Sequence, residues 1–159
     1  MQSADCRVQV RKSELLNLNS ELHHPALGID HGDARIGIAA TDPLGILAHP
    51  VETIDLRTTP PIDRIAGIAG ERRIRTLVLG LPLNLDGEEG PAAAKVRKFA
   101  EKLAARLPEI PLVLVDESHT TVDAAEKLRQ AGRKARRQKE VIDQAAAVEI
   151  LRRWMETGL

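Results

Sequence analysis

Apolar runs of strand length alternate with segments of helical period along most of this chain. Residues 26–29 form a short apolar run that ends in Asp30-His31-Gly32-Asp33. Arg35-Ile36-Gly37-Ile38-Ala39-Ala40 follows, and residues 45–54 supply a third extended segment, with turn signals between all three. This pattern predicts a meander of three strands. Pro60-Pro61 opens a helix to about Arg73, proline being harmless in a first turn whose N–H groups have no helical partner. Residues 76–80 are continuously apolar, as in a strand covered on both faces. The Pro, Asn, Asp and Gly of residues 81–90 (LPLNLDGEEG) mark a loop. Pro91 begins a second helix with one buried stripe of Ala92, Val96, Phe99, Leu103 and Leu107, and Pro108 and Pro111 bracket its end. Residues 112–115 make a second buried strand that runs into Asp116-Glu117. Thr120 or Thr121 caps a helix to about residue 132, with Asp123 in its first turn. A last helix over residues 140–155 carries Val141, Ile142, Ala145, Ala146, Val148, Leu151 and Trp154. The order βββαβαβαα predicts an α/β fold, a mixed five-stranded sheet flanked by helices.

At 159 residues the chain is one ordinary domain, large enough for a core without disulfide or metal staples. The domain is expected over residues 25–159. Residues 1–24 lack clear periodicity and read as an extension ending in His23-His24-Pro25, its histidines solvated and without a role. Cys6 is the only cysteine, so no internal disulfide forms and a reducing compartment fits best. No apolar stretch at the N-terminus suggests a signal peptide, and none approaches the ~20 residues of a membrane span. A soluble, cytoplasmic protein without membrane partners is expected.

Charge and aromatic content narrow the possible partners. Aromatic residues are 1% of the chain, Phe99 and Trp154 with no tyrosine, which disfavours a single-strand reader that stacks bases on aromatic platforms. Nucleic-acid contact must then work through charge, backbone and metal. Although the formal net charge is +0, Lys127, Arg129, Arg133, Lys134, Arg136, Arg137 and Lys139 form a run without an acid. It reads either as a solvated helix end and loop or as a phosphate-binding patch.

Three carboxylates occupy unusual places. Asp30 leaves the first strand, Glu117 leaves the last, and Asp143 shares a helical face with Ala146, Ala147 and Ile150 that should pack on the sheet. Strand ends of such sheets are where ligands bind. A carboxylate on a buried face must be paired, neutralised or metal-bound. Together the three would make an oxygen-rich site for Mg²⁺ or Mn²⁺, and two such ions ~3.5–4 Å apart activate water and stabilise the leaving oxygen of a phosphodiester. The alternative is that each acid makes caps or ion pairs, Asp143 with Arg35 or a nearby lysine.

Four segments in order resemble the blocks of the YqgF family. They are Gly28-Ile29-Asp30-His31-Gly32-Asp33-Ala34-Arg35-Ile36-Gly37, Leu79-Gly80-Leu81-Pro82-Leu83-Asn84-Leu85-Asp86-Gly87, Val115-Asp116-Glu117-Ser118-His119-Thr120-Thr121 and Lys139-Glu140-Val141-Ile142-Asp143-Gln144-Ala145-Ala146. The resemblance covers about residues 26–156, and the ordered set is specific although each block alone is weak. Members are described as pre-16S rRNA nucleases or Holliday-junction-resolvase-like proteins with a ribonuclease-H-like fold. The resemblance implies that Asp30, Glu117 and Asp143 are the catalytic, metal-binding acids. It also implies that Arg35, Asn84 and the loop glycines Gly80 and Gly87 border the nucleic acid or hold the loop. The function it implies is metal-dependent hydrolysis of phosphodiester bonds in 5′-end maturation of precursor 16S rRNA. Partners would then be that RNA, or structured and branched nucleic acid, and ribosomal precursor particles, with the chain a monomer or homodimer. The family usually has Arg after the Glu of the third block and often Lys before the Arg of the first, where this chain has Ser118-His119 and Ala34. His119 reads either as a proton shuttle beside the metals or as a surface residue at a helix start. Within this reading, Arg133, Lys134, Arg136, Arg137 and Lys139 would lie along the substrate backbone.

Two other readings compete. Residues 28–32 also resemble the phosphate loop of actin-like ATPases and sugar kinases, but those clamp nucleotide between two such domains and this chain supplies one. A Holliday-junction-resolvase-like DNA endonuclease, or a non-catalytic RNA-binding ribosome-maturation factor, would share the fold.

Overall fold

The computed structural model describes residues 23–117 and 135–157. Five strands, β1 (Ala26–His31), β2 (Arg35–Thr41), β3 (Ala48–Asp55), β4 (Thr76–Leu81) and β5 (Leu112–Asp116), form one sheet in the order β3-β2-β1-β4-β5. The meander β1, β2 and β3 is antiparallel, while β4 and β5 run parallel to β1, so the sheet is mixed as expected. The described helices are α1 (Pro61–Arg72), α2 (Pro91–Arg106) and α3 (Ala135–Glu156). The helix expected at 120–132 lies outside the described residues.

Alternation along the strands sorts the core into two halves. Leu27, Ile29, Ile36, Ile38, Leu77, Leu79 and Leu112 face α1 and α2, where Ile65, Ile68, Val96, Phe99 and Leu103 meet them. Ala26, Ala39, Val78 and Val113 face α3, packed with Ala147, Ile150, Leu151 and Trp154. Large aliphatics build the first layer and small residues the second, so α3 lies close to the sheet.

The structure corrects five expectations. The third strand starts at Ala48 rather than residue 45, because the Asp42 carboxylate accepts the N–H groups of Ile46 and Leu47 and folds residues 42–47 into a turn that leaves Leu44, Ile46 and Leu47 exposed. Ala93, not Ala92, completes the buried stripe of α2, and Ala92 turns toward the cleft described below. The last helix starts at Ala135, so Arg136, Arg137 and Lys139 lie on its first turns rather than in a loop. Gly80 lies within β4, not in the following loop. His23 and His24 are buried rather than solvated: His24 Nδ1 lies 2.8 Å from Thr41 Oγ1 and its ring packs on Trp154 at 5.2 Å between centroids. Burial holds the His24 imidazole below its ordinary pKa. Among the described residues no helix is long and apolar enough to cross a membrane.

Candidate active site

Strand direction gathers the acids. β1, β4 and β5 are parallel, so their C-terminal ends share one edge of the sheet, and along them the α3-facing positions run Ala26, Gly28, Asp30 on one strand and Val113, Val115, Glu117 on another. The Glu117 amide still donates to the Leu81 carbonyl at 2.9 Å, which fixes Glu117 beside the end of β4. Asp143 comes from α3, on the face that also buries Ala146, Ala147 and Ile150.

Close approach of α3 depends on missing side chains. Gly37, the antiparallel partner of Asp30, lies against the Asp143 backbone so tightly that any Cβ would collide with the Asp143 carbonyl. On β4, a Cβ at Gly80 would stand 2.7 Å from Glu117 Oε2. Two glycines thus make room for two of the three acids.

The acids line one cleft of about 550 Å³ together with His31, Asn84 and Lys95. Asp30 is buried at 9% exposure and bonded through its side chain to Glu117. Burial first, then the hydrogen bond to Glu117 and the negative charges of Glu117 and Asp143, push the Asp30 carboxyl up to about 9. At neutral pH Asp30 therefore keeps its proton and donates it toward Glu117. Asp143 Oδ2 accepts from Arg35 Nε at 2.9 Å, both side chains half-buried. The ion pair weighed in the sequence is thus formed, and Arg35 stands against Asp143 itself.

Oxygen donors of this kind suit a hard divalent cation. As placed, no group of three or more His, Cys, Asp or Glu among the described residues is arranged to hold a metal ion. The reason is visible in the bonds, since Asp30 and Glu117 are bonded to each other and Asp143 is held by Arg35. Loss of the Asp30 proton and release of Asp143 would leave three carboxylates facing one cleft, so the donor set fits Mg²⁺ or Mn²⁺ in chemistry.

Other expected residues are placed unequally. Asn84 lines the cleft on an exposed turn, where its amide donates to the Glu88 carbonyl and its carbonyl accepts from the Gly87 amide at 2.8 Å, so Gly87 does hold this loop. His119, Arg133 and Lys134 lie outside the described residues, as do the side chains of Arg136, Arg137 and Lys139. Two cleft residues carried no expectation. His31 packs against Phe99 in a tilted arrangement with 4.6 Å between ring centroids, and burial lowers its pKa. Lys95 reaches the cleft from α2 and pairs with Asp33 at 3.3 Å. The signal for Lys95 was its recurrence with Lys98 and Lys102 along the polar side of a helix.

Comparison with known proteins identifies the family and the fold. The model of the RuvX family, described as Holliday junction resolvase, matches residues 24–157. A Streptomyces coelicolor protein named "Putative pre-16S rRNA nuclease" is 49% identical over 132 residues, covering 82% of this chain and 79% of that protein. A protein of the same name from Nocardioides is 49% identical over 136 residues, 82% of this chain and 86% of its own length. Among solved structures, Thermus thermophilus RuvC in complex with Holliday junction substrate superposes with a TM-score of 0.51 at 15% identity, covering 86% of this chain and 97% of that one. That likeness concerns the fold, and it is the ribonuclease-H-like fold expected from the sequence.

Proposed function

This chain belongs to the RuvX family, and from that premise we propose that it is a metal-dependent nuclease whose site is the cleft of Asp30, Glu117 and Asp143. The carrying observation is the convergence of three carboxylates, from β1, the end of β5 and α3, on one cleft where the innermost acid is driven to hold a proton. Such mutual repulsion is what a divalent cation relieves. Bound there, Mg²⁺ or Mn²⁺ supplies Lewis-acid activation of water and neutralises charge on the leaving oxygen.

The chain's own residues set the conditions for that chemistry. Asp30 would hold the cation as a carboxylate, so metal affinity should rise with pH. Arg35 holds the Asp143 carboxylate at 2.9 Å, and Asp143 would be one of the cation's ligands. Lys95 and Asn84, which line the same cleft, offer positive charge and a polar contact for phosphates neighbouring the reacting one. The substrate that best fits the relatives' names is precursor 16S rRNA at its 5′ end, with branched DNA as the second reading from the family description. Arg133, Lys134, Arg136, Arg137 and Lys139 belong to this proposal as backbone contacts, and His119 as a proton donor to the leaving group.

The test is cleavage of a labelled precursor 16S 5′ fragment beside a four-way DNA junction, in Mg²⁺, Mn²⁺ or EDTA. Cation-dependent cutting of the RNA alone is the expected result. Cutting of the junction alone moves the substrate to DNA, and binding without cutting of either leaves a maturation factor.

A further inference from the structure

Beside the carboxylate cleft lies a second groove of about 330 Å³, lined by Lys95, Lys98 and Lys102 of α2 with His31, Asp33 and Phe99. It shares His31, Gly32, Asp33 and Lys95 with the cleft, so the two form one continuous depression. We propose that this groove carries the sugar–phosphate backbone of one flank of the nucleic acid whose reacting phosphate lies among the acids. The inference rests on the nuclease reading above and extends it to how substrate is held.

The lysines recur at i, i+3 and i+7, which places them on one stripe of the helix. That stripe is about 10 Å long, or about three nucleotide steps along one strand. Three lysines face one aspartate in the lining, and among the described residues Lys98 and Lys102 have no acidic partner within an ion pair. The Asp33–Lys95 pair is highly exposed, 64% and 87% for the lysine and aspartate side chains, so it is weak and a phosphate can take Lys95 from Asp33. Phe99, at 7% exposure, is too covered to stack a base. Charge without a stacking platform selects backbone over sequence.

The variant Lys98→Gln/Lys102→Gln tests this, both residues being exposed and outside the carboxylate cleft. Binding of a labelled RNA hairpin with a single-stranded 5′ tail, and of a matching DNA, is followed by anisotropy across a salt series. The slope of log K against log salt should fall by about 1.4–1.8, with KM raised and kcat at saturation unchanged. Lysine-to-arginine replacement at both sites should restore the slope. The comparison variant Arg72→Gln/Arg73→Gln, from the exposed end of α1 and lining neither cavity, should leave it unchanged. An unchanged slope in the lysine variant, or an equal fall in the arginine variant, overturns the groove while leaving the nuclease reading intact. A lysine-dependent slope in a protein that cuts nothing upholds the groove and overturns the nuclease reading. No binding by the wild type overturns both.

Discussion

Asp30 couples the site to pH. Its carboxyl is pushed from 3.8 to about 9, so between those values the folded chain holds a proton that the unfolded chain has lost. Its contribution to stability is fully present below the lower value and disappears as pH rises through the upper one, by up to about 1.4 kcal/mol per pH unit between them. In EDTA, melting should therefore fall by about 2–4 °C per unit from about pH 7 to about pH 9. Asp30→Asn should remove most of that slope, and a wild-type profile as flat as the variant's would contradict the shift. Arg35 invites a parallel test. Arg35→Gln takes the guanidinium from Asp143 Oδ2 and should cost about 1–3 kcal/mol in urea unfolding. Asp143→Asn should cost less in that background than in the wild type, and strictly additive losses would mean the pair carries no energy. At this scale the acids were legible because alternation and helical spacing place them. Arg35 remained ambiguous, since the sequence could not tell whether its guanidinium turned to Asp143 or to solvent. Lys95 went unremarked because it belongs to α2 and meets the acids only through the tertiary fold.

Among the elements, α3 decides the site. Its alanines fit a sheet face of small residues, and Gly37 and Gly80 let its backbone and Ile150 come within contact of β2 and β4. Gly80→Ala should cost about 1–3 kcal/mol by overpacking and should reduce cleavage further, because the methyl displaces Glu117. Gly67 on α1 is the counterexample. Nothing lies within 4 Å of a Cβ there, so Gly67→Ala should stabilise by about 0.5–1 kcal/mol and leave cleavage alone. Matching losses from the two substitutions would show that contact with α3 is not what Gly80 serves. Strand and helix cores were readable from periodicity, their ends less so. Leu44, Ile46 and Leu47 look like strand but are bent away by Asp42, and residues 135–139 carry no apolar period to announce the start of α3.

In the whole molecule, a chain of zero net charge separates its signs. Acids gather at the C-terminal edge of the parallel strands, and lysines of α2 line the adjoining groove. The sequence indicated the first grouping through motif order and placed positive charge at Arg35 and in residues 127–139, because a contiguous run stands out in sequence whereas the stripe of Lys95, Lys98 and Lys102, interrupted by Val96, Phe99 and Ala100, shows only once the helix face is drawn. The histidines before β1 show the same limit, since only the folded chain brings His24 to Trp154. The central claim is that one carboxylate cleft cuts phosphodiesters with a divalent cation. Its most direct test is single-turnover cleavage of the precursor 16S 5′ fragment in Mn²⁺ by the wild type and by Asp143→Asn, with folding of both checked by circular dichroism. Loss of at least about a hundredfold in rate in a folded variant is the predicted result. Cleavage by Asp143→Asn at the wild-type rate would contradict the assignment of the cleft.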